Sequence, residues 1–135
     1  MVAARHDFMI NLDQIGRVGT GLTRPECVLT LADGNLYASN GAGGISQIHP
    51  DGRVSHHLGN SVTGEPLAAN GFALMPDGSF LIAPLKGGPV QRLFRDGRSE
   101  VYLAEADGVT LEAPNFVLHD WKGRVWICVL AWGSG

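Results

Sequence analysis

Pro114-Asn-Phe-Val-Leu-His-Asp-Trp-Lys-Gly-Arg-Val-Trp-Ile-Cys128 reads as two apolar strands joined by a turn at Gly123, and the chain carries this pattern three times. The earlier copies are Pro25-Glu-Cys-Val-Leu-Thr-Leu-Ala-Asp-Gly-Asn-Leu-Tyr-Ala-Ser39 and Ala69-Asn-Gly-Phe-Ala-Leu-Met-Pro-Asp-Gly-Ser-Phe-Leu-Ile-Ala83. They align without a gap. The turn glycines Gly34, Gly78 and Gly123 are spaced by 44 and 45 residues, and a polar residue (Glu26, Asn70, Asn115) stands eight positions ahead of each. A second marker shares the period: Pro50-Asp51-Gly52-Arg53 returns as Arg95-Asp96-Gly97-Arg98, 45 residues later. Two independent markers with one period identify a repeat architecture.

Each copy predicts a hairpin, with glycine where the turn needs positive φ. A glycine-rich bend follows the first two (Gly41 to Gly44; Lys86-Gly87-Gly88-Pro89), and then a second strand pair. These pairs are Ile45–His49 with Val54–Leu58, and Val90–Phe94 with Glu100–Leu103, again joined by Asp-Gly turns. The runs are rich in β-branched and aromatic residues, as in strands covered on both faces. Four strands in about 45 residues is the unit of a propeller blade. The fold expected is therefore all-β: a β-propeller fragment of about three four-stranded blades, near residues 23–62, 63–107 and 108–135. No stretch sustains a 3.6-residue apolar period. A β-sandwich is the competing architecture, but its strands need not repeat at constant spacing.

Bulk properties agree. Of the 135 residues, 44% are hydrophobic and 17% charged, which is a globular and not a disordered composition. Nineteen glycines and seven prolines spread along the chain favour many short elements with tight turns. Net charge is −3 and the ten basic residues are scattered, which argues against nucleic acid as a partner. No apolar run approaches the roughly 20 residues needed to cross a bilayer. Met1–Leu12 carries Arg5, His6 and Asp7 without an apolar stretch and small-residue cleavage site, so a cytoplasmic protein is expected. Cys27 and Cys128 lie in apolar runs and read as buried free thiols.

Propellers close with roughly four to eight blades, and this sequence has material for three. Open blade faces invite self-association. A truncated product is the simpler expectation, and a ring made of two copies is the other.

Arg24-Pro25-Glu26-Cys27-Val28-Leu29, Ala69-Asn70-Gly71-Phe72 and Ala113-Pro114-Asn115 resemble, in order, the segments opening the first three blades of the SMP-30/gluconolactonase/LRE family. The likeness runs from about Leu12 to Trp132. It implies the first half of a six-bladed propeller that holds one divalent metal, usually calcium or zinc, sometimes manganese or magnesium, and hydrolyses small lactones and related esters. It implies that Glu26 is a metal ligand, that Asn115 lies at the channel, either on the metal or on the substrate, and that Asn70 is its neighbour on the substrate side. Phe116 stands where many such lactonases have aspartate, which points to a different branch. The ligands that complete the family's site would lie beyond Gly135. The 135-residue chain is therefore expected to show negligible lactonase activity.

The residues support such a site in their own right. Innermost strands line a propeller channel, so positions at one offset in each blade point to one ring. A carboxylate and two amide oxygens there are hard ligands, suited to calcium, magnesium or manganese. A metal with open positions polarises a carbonyl and acidifies a bound water, but no general base is evident among these residues. Ordinary roles compete. Asparagine before glycine is chiefly a turn residue, which favours structure at Asn70. Asn115 could equally cap or bend the chain. Glu26, between Pro25 and an apolar strand, would be costly if buried without a partner, which a metal or a base would supply.

Other residues read as structural. His56-His57 is expected to be a solvated pair, His119 to bond locally, and Trp121 and Trp126 to pack within the blade. No Gly-x-Ser-x-Gly elbow is present, and Gly41–Gly44 lacks the lysine of a phosphate loop. A non-catalytic propeller of the NHL or strictosidine synthase-like kind, binding a ligand or a protein, is the alternative to the hydrolase.

Overall fold

The glycine turns within the blade repeats close in one geometry. In the computed structural model of the chain, which describes residues 9–130, the Gly34 N–H donates to the Leu31 carbonyl (3.1 Å) and the Leu31 N–H to the Asn35 carbonyl (2.9 Å). The same pair of bonds recurs at Gly52, Gly78, Gly97 and Gly123. This is a three-residue loop ending in the left-handed region (φ 88° at Gly34), where any side chain is strained. The preceding aspartate locks it: Asp33 accepts from the Asn35 N–H at 2.9 Å and Asp96 from the Arg98 N–H at 3.1 Å. In the third copy the aspartate has moved to Asp120, which accepts from the N–H groups of both Lys122 and Arg124 at 2.9 Å.

The turns join strands in the expected order. β1 (Val28–Thr30), β2 (Leu36–Ser39), β3 (Ile45–Ile48) and β4 (Val54–His57) form one antiparallel four-stranded sheet. β5 (Ala69–Leu74), β6 (Phe80–Pro84), β7 (Val90–Leu93) and β8 (Ser99–Leu103) form a second. A small hairpin of β9 (Glu105–Ala106) and β10 (Val109–Thr110), unforeseen from the sequence, turns on Asp107 and Gly108, both at positive φ (50° and 77°). β11 (Pro114–His119) and β12 (Val125–Val129) then pair alone. Val28 lies opposite Ala38, Phe72 opposite Ile82 and Val117 opposite Ile127, so the three leading hairpins share one register. Two meandering four-stranded blades and the opening hairpin of a third make an all-β propeller fragment. Its only helical turn among the described residues is a 3-10 segment, Leu12–Gln14. No described helix is long and apolar enough to cross a membrane.

The core lies between blades. Tyr37 and Ile45 of blade 1 meet Phe72, Phe80, Ile82 and Leu93 of blade 2, with Phe80 fully buried. The other face of blade 2, with Ala73, Leu81, Ala83 and Val90, covers Val117 of β11 and is joined by Leu111. Because directly opposed residues share a face and neighbours alternate, a blade buried on both sides reads as a continuous apolar run. β6 shows this along its whole length.

Arg95, in the turn after β7, ties the blades together. Its guanidinium lies over the rings of Phe80 (4.6 Å) and Tyr37 (5.3 Å) and donates to the Tyr37 hydroxyl (3.1 Å) and the Gln47 side-chain oxygen (3.2 Å). His57 Nε2 lies 2.8 Å from both Arg95 Nη1 and Gln47 Oε1, and its ring packs on Phe80. His57 is thus half-buried and not half of a solvated pair; His56 alone is exposed, with its Nδ1 2.9 Å from Ser46 Oγ. Burial first, then the Arg95 charge and those of His49 and His56, lowers the His57 pKa to about 4.

Three further expectations change. Cys128 is exposed and Cys27 only partly buried. Trp121 is 88% and Trp126 54% exposed, so neither is buried in the blade; each ring meets a cation of its own turn, Lys122 over Trp121 and Arg124 over Trp126. The Trp126 indole N–H also donates to Asp120 at 3.0 Å, and with Arg124 and Lys122 it holds the Asp120 carboxyl down at about 2. His119 makes no side-chain hydrogen bond among the described residues and borders an apolar hollow. The Met1–Phe8 part of the N-terminal stretch and residues 131–135, including Trp132 and Ser134, lie outside the described residues.

Candidate functional site

The inner strands β5 and β11 run side by side, and each carries an irregularity at its start. Register slips by one residue between Ala69 and Phe72, and again between Pro114 and Phe116. Such bulges re-aim a side chain out of the pleat. Here they hold the two asparagines of the repeat, Asn70 and Asn115. The close approach of the strands depends on Gly71, whose added Cβ would stand 2.7 Å from the Asn115 carbonyl oxygen and from Phe116 Cα.

The consequence is direct contact between the two repeat positions. Asn70 Nδ2 donates to Asn115 Oδ1, 45 residues away in sequence. That bond uses one donor and one acceptor; among the described residues the Asn70 carbonyl oxygen and the Asn115 amide NH2 have no other side-chain partner. Asn70 borders a cavity of about 290 Å³ shared with Lys86, Gly87, Glu112 and Pro114. The cavity wall is built by the Lys86–Pro89 bend: the Gly88 N–H donates to the Glu112 carbonyl at 2.8 Å, and Gly87 sits so close that a Cβ would reach that oxygen at 2.5 Å. Lys86 is held by Glu65 at 2.8 Å. Lys86 and Glu112 were not singled out in the sequence. Only the fold brings their segments to the asparagine rim.

Glu26 precedes β1 at the equivalent offset but hydrogen-bonds to neither asparagine. Its carboxylate pairs with Arg24 Nη2 at 3.1 Å, with the two side chains 51% and 41% exposed. The basic partner that a buried glutamate would need is therefore Arg24, and the carboxylate itself is open to solvent. In kind, one carboxylate and two amide oxygens fit a hard divalent cation. In number they supply only part of the roughly six to eight oxygens calcium takes. Among the described residues, no three His, Cys, Asp or Glu side chains cluster where they could hold a metal ion.

A second hollow, about 250 Å³ and largely apolar, lies among the same inner strands, bordered by Cys27, Val28, Leu29, Phe72, Phe116 and His119.

No protein-family model matches the sequence, and no curated protein matches it. Solved structures do share its fold. One is a catalytically inactive virginiamycin B lyase from Staphylococcus aureus with quinupristin, 18% identical over 82% of this chain and 36% of that chain, TM-score 0.59. Another is a protein of unknown function from Bacteroides thetaiotaomicron, 22% identical over 74% of this chain and 31% of that one, TM-score 0.55. The chain spans about a third of the length of these structures. At such identity the likeness concerns architecture, and it agrees with the propeller read from the repeat.

Proposed function

We propose that this chain is part of a metal-dependent hydrolase of small sugar lactones or related esters, whose ligand end is the rim where Asn70 and Asn115 meet. One observation carries the reading: two polar residues at one repeat offset leave the pleat at matching bulges and join side chain to side chain. A purely turn-forming asparagine would bond to its own backbone. Instead, Asn70 reaches across to the next blade. The likeness of the Glu26, Asn70 and Asn115 segments to SMP-30/gluconolactonase blades supports the same end of the fold. The neighbouring virginiamycin B lyase, at 18% identity, shares the architecture alone.

In this reading the Asn115 amide NH2 donates to a lactone or ester oxygen, and the Asn70 carbonyl accepts from a substrate hydroxyl. The bond between the two amides sets their orientation before substrate arrives, which limits the ordering cost of binding. Glu26 and the Asn115 amide oxygen would hold the cation. A bound hard cation, calcium first on donor chemistry, would polarise the scissile carbonyl and acidify a water. Further ligands and a general base come from outside these three blades.

The test is hydrolysis of glucono-δ-lactone and an aryl ester by a ring-complete form, with calcium, zinc, manganese or magnesium added after chelation. Expected is metal-dependent turnover that falls about 10- to 100-fold in Asn115→Ala and Glu26→Gln. The 135-residue chain alone should be inert. Metal-independent turnover, or turnover indifferent to both substitutions, overturns the proposal.

A second reading rests on the 250 Å³ apolar hollow, which suits a non-catalytic propeller binding an apolar ligand. Saturable binding of such a ligand, lost in Phe72→Asp, by a ring-complete protein without hydrolase activity would favour it.

A further inference from the structure

The connection from β4 to β5 folds into a tight loop against β7. The Ser61 N–H donates to the Glu65 carbonyl at 2.6 Å and the Gly64 N–H to the Ser61 carbonyl at 2.8 Å. Gln91 of β7, only 3% exposed, anchors the loop. Its Oε1 accepts from the Val62 N–H at 3.0 Å and its Nε2 donates to Ser61 Oγ at 3.1 Å. A buried amide bonded at both ends holds the loop in one place. Between this loop and the Lys86–Pro89 bend lies a cavity of about 70 Å³, bordered by Ser61, Thr63, Glu65, Lys86 and Gln91. It sits at the junction of the two complete blades and has several times the roughly 10–15 Å³ that one water needs.

The polar groups around it are of mixed kind. Ser61 Oγ accepts from Gln91 Nε2 and from the Thr63 N–H, so its own hydrogen goes to Thr63 Oγ1, 2.9 Å away. The Thr63 hydroxyl hydrogen then has no side-chain acceptor among the described residues. Lys86 Nζ and Glu65 Oε2 pair at 2.8 Å, with both side chains mostly exposed. Such a pair is weak, and its remaining donors and acceptors stay open to a ligand. The backbone N–H groups of Ser61, Val62, Thr63 and Gly64 are all used within the protein, so the loop offers an anion no amides, and the Glu65 carboxylate opposes one. Lys86 opposes a metal ion in the same way. Pro66 and Pro84 add an apolar wall. These surfaces together fit a neutral molecule whose hydroxyls donate and accept and whose C–H faces lie on proline.

We propose that this cavity binds a neutral short-chain polyol, one hydroxyl of which donates to Glu65 and accepts from Lys86 while a neighbouring hydroxyl accepts from Thr63. The site uses only residues between Ser61 and Gln91, and it does not rest on any chemistry at the asparagine pair. So few contacts give an affinity in the millimolar range.

Titration of the isotope-labelled chain with erythritol, followed by NMR, tests it. The Val62 and Thr63 amide signals and the Gln91 side-chain NH2 should shift saturably. Lys86→Met keeps the apolar stem and removes the amine, and should weaken binding about tenfold. Thr63→Val keeps the shape and removes the hydroxyl, and should weaken it about threefold. Both side chains are exposed, so the thermal midpoint should be unchanged; if Lys86→Met lowers it, Glu65→Gln takes its place. Sulfate and glycine, titrated at matched ionic strength, check the charge argument. If either binds more tightly than erythritol, the proposal fails in favour of an anion or a zwitterion held by Lys86 and Glu65. A shift that grows without saturating, or saturation that the substitutions leave unchanged, also overturns it, because the cavity then holds water only.

Discussion

Blade 2 and the β11–β12 hairpin share their register, their bulge and their turn, yet Leu81 is fully buried and its counterpart Trp126 is half exposed. The local code is the same; the neighbours differ. In a stacked-blade fold, strand and turn are written within each repeat, while burial belongs to the contact between repeats. Residues of the same pattern therefore differ widely in energetic weight.

Truncating Phe80 should give the largest effect. The ring is fully buried, packs against Tyr37 (5.7 Å) and edge-on to Phe72 (6.2 Å), and carries Arg95 on its face. Phe80→Ala is expected to cost about 3–5 kcal/mol in urea unfolding. Val125, its counterpart in the third hairpin, is only partly buried, and Val125→Ala should cost clearly less. Equal losses would break the comparison.

Next comes Gly71→Ala. Its Cβ would press on the backbone of Asn115 and Phe116, and overpacking of this kind costs about 1–3 kcal/mol. The equivalent residue beside the open face, Phe116, should tolerate Phe116→Ala with a smaller change in midpoint. The Asn70–Asn115 bond should loosen in Gly71→Ala, visible as a shift of both side-chain amide signals by NMR.

The blade 1–blade 2 contact should also weaken in acid. The folded-state pKa of His57 is about 4 against an ordinary 6.5, so the unfolded chain binds the proton more readily. The contribution is present in full above pH 6.5 and is lost as pH falls toward 4. Thermal scans between pH 7 and 4 should show a falling midpoint, with a shallower slope in His57→Gln. An unchanged slope would mean that the Arg95 contact is insensitive to the imidazole.

The smallest effect should come from Trp126→Ala. The indole is half exposed, and the change is expected within about 0.5 kcal/mol. A loss of several kcal/mol would show that this face is already covered within one chain.

Much of this was legible in the residues. The 44- and 45-residue spacings, the Asp-Gly turns and the β-branched runs give the blade, because hydrogen-bonded turns and alternating strands depend on residues a few positions apart. The offset of Glu26, Asn70 and Asn115 pointed to one rim for the same reason. His57 was misread because its burial comes from Phe80 and Arg95, which lie in another blade. Trp126 was misread in the opposite direction: its apolar character was plain, but packing requires a partner that these residues do not place there. Glu26 looked like a buried charge because the strand after it is apolar, yet the chain turns it out beside Arg24.

The sequence by itself thus determined the repeat unit, its turns and which positions lie at equivalent points of each blade, all set by local backbone chemistry and periodicity. Only the tertiary structure decided which of those positions meet. Asn70 reaches Asn115 because Gly71 lets two strands close together, while Glu26 remains with Arg24. Contact between blades depends on rotation about a common axis, and no residue pattern within one blade encodes which faces that rotation leaves bare.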